Sequence, residues 1–542
     1  MAYYEDLREY LEALDKAGML RTVTRLINKD TELHPLVRWQ FRGLEESQRT
    51  GFLFENLTDV KGRQYNASVA TAVIAANREM YAVAMRCEPD QIGQKWVEAY
   101  RRQQEPRLVD WGPVKEEIHK GEGLLEHGGL WEFPIPMATN GWEGLPRLTA
   151  VSWHSKDPDT GVTNVGTYNG TLVGPLRTSC RVGTGRDFAL HWRKCRARGI
   201  PLQAAAVLGA APAVSMVSVT RLPYGMNELA VAGGIMGRPL EVVKCETVDL
   251  EVPASAEVVL EGEVPPDYLE PDAASGEHTG YTILSGMVNA FHIKCITHRK
   301  RPIWHDYISQ MPPSESSTIR GIGGEGMFRA FLQTECGIPQ VKDVAFHHCA
   351  GGWRICSIQL QNVAGVRTAH STVWRTLYAA LAKSEAWPKL VIVVDEDIDP
   401  HDLESVLWAM SFRWQPERDT RIVGSRAREL DQSVTPYGKG PGDHGRLPGK
   451  EAIIDAERGS SMLVDATRKW DYTPIALPKR EYMERARTIW EELGYPALRP
   501  RVPWFGTSLG IWPDEYEEQA RLAEAGEFEK VAALLLRGAK RV

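Results

Sequence analysis

Hydrophobic residues in this chain change their period along its length. Between about residues 148 and 300 they alternate with polar ones, as in Val248, Leu250 and Val252 and again in Val258, Leu260 and Val264. A period of two puts one face of a strand in a core, so this middle third predicts a β domain. From about 330 strands alternate with helices, most clearly where Leu390-Val-Ile-Val-Val-Asp395 precedes a helix from about 400. Asp399 is placed to cap that helix, with Pro400 at its first position and Asp402 in its first turn. Ahead of residue 125 the two periods mix. The chain opens with an amphipathic helix on Leu7, Tyr10, Leu11, Leu14 and Ala17, closed by Gly18. A chain of 542 residues exceeds what one hydrophobic core supports. The reading is therefore a mixed α+β and α/β multidomain protein, with an N-terminal α/β domain over 1–125, a central β domain over 126–325, a C-terminal α/β domain over 326–500 and a helical tail over 501–542.

Local signals refine this outline. Trp131-Glu-Phe-Pro-Ile-Pro-Met137 reads as an extended connector, because each Pro disfavours helix. A helix from about Asp187 to Arg198 interrupts the strands before the apolar strand Ala204 to Leu208. Pro436-Tyr-Gly-Lys-Gly-Pro-Gly442 predicts a loop that is flexible or wraps a ligand, and helices are expected over 481–493 and 513–537. Leu534-Leu-Leu536 gives the last helix an apolar face for a neighbouring subunit.

Several classes of function are disfavoured. A formal charge of -7 argues against nonspecific binding to nucleic acid or anionic membrane. The longest nearly apolar run, Ala204 to Val217, contains Pro212 and is too short to span a bilayer. Met1-Ala-Tyr-Tyr-Glu-Asp lacks the basic and apolar regions of a signal peptide, so a soluble cytoplasmic protein is expected. The eight Cys form no Cys-x-x-Cys pair, and His347-His348-Cys349 with Cys356 lacks zinc-site spacing. Gly321-Ile-Gly323-Gly-Glu-Gly326 fits the letters of a dinucleotide fingerprint, yet Ser314 to Arg320 is polar where an apolar strand is required. Gly445 to Lys450 lacks the spacing of a P-loop.

Chemistry concentrates in three stretches: Asn164-Val-Gly-Thr-Tyr-Asn169, Asn227-Glu228-Leu-Ala-Val-Ala-Gly-Gly234 and Ser275-Gly-Glu277-His-Thr-Gly-Tyr281. Asn164 and Glu228 offer an amide oxygen and a carboxylate, ligands suited to a hard cation when a phosphate adds further oxygens. Taken alone, the two read better as a turn residue, Asn164, and a cap of the following helix, Glu228. Arg177, Arg181 and Arg186 form a basic stretch that suits phosphate by bidentate pairing or makes a solvated loop. Glu277 lies between Gly276 and His278; shielded from water, such a carboxyl should rise in pKa and deliver a proton near neutral pH.

In order, spacing and flanking sequence the three stretches resemble those of the UbiD family, decarboxylases that use prenylated FMN. The likeness runs from Asp6-Leu-Arg-Glu-Tyr-Leu-Glu-Ala-Leu14 through Asp249-Leu-Glu-Val-Pro-Ala-Ser-Ala-Glu257 to Leu407-Trp-Ala-Met-Ser-Phe-Arg413. The resemblance implies an N-terminal α/β domain, a central split β-barrel that binds the flavin, and a C-terminal α/β domain that oligomerises. It implies that Asn164, Asp187 and Glu228 tie a divalent metal (Mn2+, Mg2+ or Fe2+) to the flavin phosphate, with Asp187 standing where the family usually has His. A K+ ion would fall near Val217, Ser218 and Thr220. Glu277 becomes the general acid, Asp272 stands at the position of an earlier family Glu, and Asn169 stands at that of a family Arg.

Asn169 removes a charge that gathers the substrate carboxylate, so anchoring is expected from elsewhere. That departure points to an aromatic acid linked to CoA, like phthaloyl-CoA, as substrate. A free aromatic or α,β-unsaturated acid is the alternative, and a noncatalytic flavin-binding partner subunit the second. A nicotinamide or FMN redox enzyme would need a dinucleotide fingerprint that the chain lacks. The resemblance further implies a homo-oligomer, dimer or hexamer, whose cofactor comes from a separate flavin prenyltransferase.

Overall fold

The computed structural model describes residues 2–183, 185–284, 286–363, 368–383, 388–425, 431, 433 and 459–537. The opening helix is Leu7–Lys16, capped by Asp6, whose carboxylate accepts from the Glu9 N–H; Leu7, Tyr10, Leu11 and Leu14 are its buried face. Gly18 follows with φ +69°, the left-handed conformation that ends a helix at little steric cost. A four-stranded sheet comes next, in the order Leu20–Val23, Gly51–Phe54, Ser68–Thr71 and Ile303–Asp306. Its last strand arrives from far beyond residue 125, so the N-terminal layer and the centre of the chain are woven together.

Asp306 locks that return. Its carboxylate is buried and receives His34 Nε2 at 2.8 Å, Thr71 Oγ1 at 2.9 Å and Thr149 Oγ1 at 2.6 Å. Burial pulls the His34 pKa down, but the charge and hydrogen bond of Asp306 outweigh it, and His34 sits above its ordinary 6.5. A folded-state pKa above the unfolded one gives stability that is full below pH 6.5 and is lost as pH rises through the folded value. His34→Gln should therefore lower the melting temperature most near pH 6. The loss there should reach about 3–5 kcal/mol, the penalty for leaving one buried charge uncompensated, and the deficit should shrink by pH 9 in thermal unfolding at the two pH values.

The central sheet has ten strands. Its path runs Thr163–Thr167, Ser152–Lys156, Leu202–Leu208, Val258–Val264, Met287–His298, Arg177–Cys180, Gly170–Gly174 and Arg147–Leu148. Leu269–Pro271 and Glu117–Lys120 also pair with the long strand Met287–His298. Neighbours along the path are antiparallel, and the strand 258–264, which lies between two other strands inside the sheet, is buried on both faces and not on alternate residues as expected. No ladder among the described residues joins the two ends of the path, so the pairing is that of an open sheet and the expected split barrel is not seen in it. The apolar run 204–217 divides into an interior strand and the buried helix Pro212–Val219, with Pro212 at the helix start where its missing N–H does no harm.

The glycine pattern at 321–326 lies inside the helix Glu315–Ala330. A Cβ at Gly326 would stand 2.6 Å from the Gly93 Cα, so these glycines let that helix approach the helix Ile92–Arg101 closely. Beyond it a five-stranded sheet has the order Val341–Phe346, Ile355–Leu360, Leu390–Val394, Gly459–Asp465 and Thr420–Ser425. The helix expected from about 400 begins later, at Leu403–Arg413, and its cap is Asp402, not Asp399. Asp399 instead accepts from the His401 N–H at 2.8 Å, which makes a separate turn ahead of the helix. The single helix expected over 513–537 is two, Asp514–Glu524 and Phe528–Leu536, separated at Gly526 with φ +74°. The loop 436–442 and the segment 445–450 lie outside the described residues. Among the described residues no helix is long and apolar enough to cross a membrane.

Candidate active site

Asn164, Asp187 and Glu228 come from three separate elements and line one cleft. Asn164 sits in the strand Thr163–Thr167, buried, with Nδ2 lacking a hydrogen-bond partner. Glu228 opens the helix Glu228–Met236, which starts there because Asn227 Oδ1 accepts from the Leu229 N–H at 3.1 Å. Its Oε2 accepts from the Val165 N–H at 2.9 Å, which holds the carboxylate beside Asn164. Asp187 opens the helix Asp187–Ala197. Both acids thus stand at helix N-termini, where the partial positive charge favours anions.

Burial pushes the Glu228 carboxyl up to about 8, and the charge of Asp187 adds to the rise. Burial also raises Asp187, against the pull of Arg221 and Arg186. Two desolvated carboxylates that repel one another, with a buried amide between strand and cleft, form a donor set that a hard cation would neutralise. Ser218, Thr220 and Arg186 line the same cleft, and Thr167 Oγ1 meets Ser218 Oγ at 2.8 Å, so hydroxyls and a guanidinium stand beside the acids. Of the proposed K+ carbonyls, that of Val217 already accepts from the Thr220 N–H at 3.2 Å.

Two of the three arginines assigned to phosphate lie elsewhere. Arg177 faces Glu270 at 3.5 Å on a half-exposed edge. Arg181 is bound into a carboxylate cluster: its Nε donates to Asp272 at 2.8 Å, Nη1 to Ser275 Oγ at 2.7 Å and Nη2 to the Ala273 carbonyl at 3.2 Å. The basic stretch reads as one unit in sequence, but Arg177 and Arg181 are each taken up by an acid of their own, Glu270 and Asp272, which leaves Arg186 alone of the three at the cleft.

Glu277 belongs to this second cluster. Its backbone N–H donates to the Tyr281 carbonyl at 3.1 Å and its carbonyl accepts from Gly280 at 2.9 Å, a tight turn with Gly280 at φ +98°. Oε1 faces three nitrogens: Asn169 Nδ2 at 3.4 Å, Arg181 Nη1 at 3.7 Å and Arg147 Nη2 at 3.9 Å. His278 Nδ1 lies 3.6 Å from Oε2. Burial pushes the Glu277 carboxyl up, but His278, Arg147 and Arg181 together pull it further down, and the group lies well below the usual carboxylate range. The expected rise is thus reversed, first by His278, the next residue in the chain, and then by two guanidiniums that the local motif does not show. Asp272 reaches Glu277 only through Arg181.

The cluster adjoins the cleft along the chain, where Asn169 follows Thr167 and Tyr168 of the lining. Arg320 lines the cleft as well, and after burial its charge is the main cause that holds His278 down to about 4. Sequence reading missed Arg147, His278 and Arg320. Arg147 had no signal of its own; only the pairing of Arg147 with Thr171 across the sheet brings it to Asn169. The turn also depends on Gly276, where a Cβ would stand 2.1 Å from Thr139 Oγ1. Gly276→Ala should displace the neighbouring carboxylate and destabilise the fold by about 1–3 kcal/mol, the cost of overpacking a filled site, in thermal unfolding beside the native protein.

A model of the 3-octaprenyl-4-hydroxybenzoate carboxy-lyase Rift-related domain matches residues 107–312, and one of the 3-octaprenyl-4-hydroxybenzoate carboxy-lyase C-terminal domain matches 318–466. Among solved structures, the UbiD-class enzyme HmfF from Pelotomaculum thermopropionicum in complex with FMN is 27% identical over 89% of this chain and 99% of that one, with a TM-score of 0.74. An evolved dimeric form of HmfF in complex with prFMN is 27% identical over 88% and 97%, with a TM-score of 0.72. The vanillic acid decarboxylase of Sedimentibacter hydroxybenzoicus in closed form shares the fold at 24% identity, covering 91% and 100%, with a TM-score of 0.74. Fold and matches together define a carboxy-lyase. The chain belongs to the UbiD family.

Proposed function

We propose that this enzyme removes CO2 from a free aromatic acid with the help of prenylated FMN, and that the reverse carboxylation uses the same groups. The observation that carries the reading is the placement of Glu277 among Asn169, Arg147 and Arg181, next to a cleft lined by Asn164, Asp187 and Glu228. The donor set of that cleft fits a divalent cation (Mn2+, Mg2+ or Fe2+) shared with a flavin phosphate, which Arg186 and Ser218 would help to bind. Carbonyls at 217, 218 and 220 are the proposed K+ ligands.

When bound, prenylated FMN supplies an electron sink for the electron pair left on carbon as CO2 departs. Glu277, held below the usual carboxylate range by His278, Arg147 and Arg181, takes up a proton once a substrate carboxylate draws on those cations, passes it to the carbon that lost CO2 and is reprotonated from solvent for the next cycle. Asp272 fixes Arg181, which faces Glu277 Oε1, and so tunes the acid without touching it. Asn169 touches Oε1 and holds the carboxyl in place. Exposed Leu534, Leu535 and Leu536 support self-association as a homo-oligomer, dimer or hexamer, and supply of the cofactor by a flavin prenyltransferase follows from the same reading.

The missing charge at Asn169 points instead to a CoA thioester of the phthaloyl-CoA kind. Arg147 and Arg181 bring two guanidiniums to the same carboxylate, which supports a free acid first. CO2 release from matched pairs of benzoates or cinnamates and their thioesters, using protein coexpressed with a flavin prenyltransferase, tests this. Free acids should turn over; release from thioesters alone would reverse the order.

A further inference from the structure

Arg147 starts the two-residue strand Arg147–Leu148, opposite Thr171 on the strand that follows Asn169. Its side chain is 2% exposed. One nitrogen is engaged, Nη1 with the Gly276 carbonyl at 3.3 Å, while Nε and Nη2 have no hydrogen-bond partner. Those two atoms form one edge of the planar guanidinium, two parallel N–H groups spaced for the two oxygens of a carboxylate. A buried cation with an open bidentate edge is costly unless something fills the edge.

The neighbouring acids do not fill it. Glu143 lies 3.6 Å from Nη1, but its oxygens already accept from the N–H groups of Ala138 at 3.1 Å, Thr139 at 3.0 Å and Gly276 at 2.9 Å. Glu277 Oε1 stands 3.9 Å from Nη2, beyond hydrogen-bond reach. Arg181, the other guanidinium beside Glu277, is committed to Asp272, Ser275 and Ala273. The cluster therefore holds one anion-ready edge, and it lies beside the proposed proton donor.

We infer that the Nε and Nη2 edge of Arg147 receives the carboxylate of the substrate, making Arg147 a positioning residue for the group that leaves as CO2. The inference rests on the carboxy-lyase reading of the site. A carboxylate on this edge also draws the charge of Arg147 away from Glu277, so the acid holds its proton more readily while substrate is present. Asn169, two residues from the cross-strand partner of Arg147, needs no charge of its own.

The test is binding, read from changes in flavin absorbance of the full-length, FMN-loaded protein with benzoate and its neutral isostere benzamide as probes. The native protein should prefer benzoate at least tenfold. Arg147→Gln should bring the two affinities within twofold, and Arg147→Lys should keep part of the preference, which also guards against misfolding of the first variant. With any acid that is turned over, Arg147→Gln should raise KM more than it lowers kcat. No preference in the native protein, or a full preference in Arg147→Gln, overturns the assignment. CO2 release is not read in the binding assay, so failure of the carboxy-lyase reading shows up separately, as absence of turnover.

Discussion

Glu277→Gln should keep its flavin and slow CO2 release by about 10²–10⁴-fold, the range over which a positioned general acid contributes. The substitution keeps the shape of the side chain and the turn held by Gly280 and Tyr281, since both of those bonds use the backbone. What it removes is the exchangeable proton. It also leaves Arg147 and Arg181 without a negative neighbour on this side, so a lower melting temperature should accompany the lost rate. Flavin absorbance, thermal unfolding and CO2 release on one preparation separate these effects. Full turnover in Glu277→Gln would remove it from the role of acid.

The second large effect is expected at the cleft. Asp187→Ala should weaken divalent-cation retention by at least the 10–100-fold seen when even an outer partner of a metal ligand is lost, and flavin should go with it. Asp187 and Glu228 share the cleft, and their mutual repulsion raises the need for a compensating cation. Metal analysis and flavin content after gel filtration give the result directly. A variant that keeps both would take Asp187 out of the metal site and leave the position as an ordinary first residue of its helix.

Much of the fold was legible because it is written in local periodicity. The opening helix with its Gly18 terminus and the apolar strand near 390 follow from spacing alone, and a strand over 258–264 does too, although it is buried on both faces and not on alternate residues. Boundaries that depend on competition between nearby caps were not: Asp399 and Asp402 look alike in sequence, and only the backbone that reaches each decides which closes the helix. The return of Ile303–Asp306 to the first sheet is a long-range pairing with no local signal.

The site divides in the same way. Asn164, Asp187 and Glu228 stand out in the sequence because their flanking stretches carry recognisable patterns, and the structure brings all three to one cleft. The surroundings of Glu277 were misjudged because a motif shows a residue's neighbours in chain and not those in space. Arg147 comes from one strand and Arg181 from just past the end of another, and with the adjacent His278, the largest pull of the three, they invert the direction expected for the acid.

The central claim is that CO2 release depends on prenylated FMN held in this cleft. The most direct measurement compares CO2 release from one panel of aromatic acids by two preparations of the protein, one made with a flavin prenyltransferase and one carrying FMN alone, each checked by native mass spectrometry. Release from the prenylated-FMN preparation only is the predicted result. Equal release from both, or none from a preparation shown to hold prenylated FMN, would contradict the account.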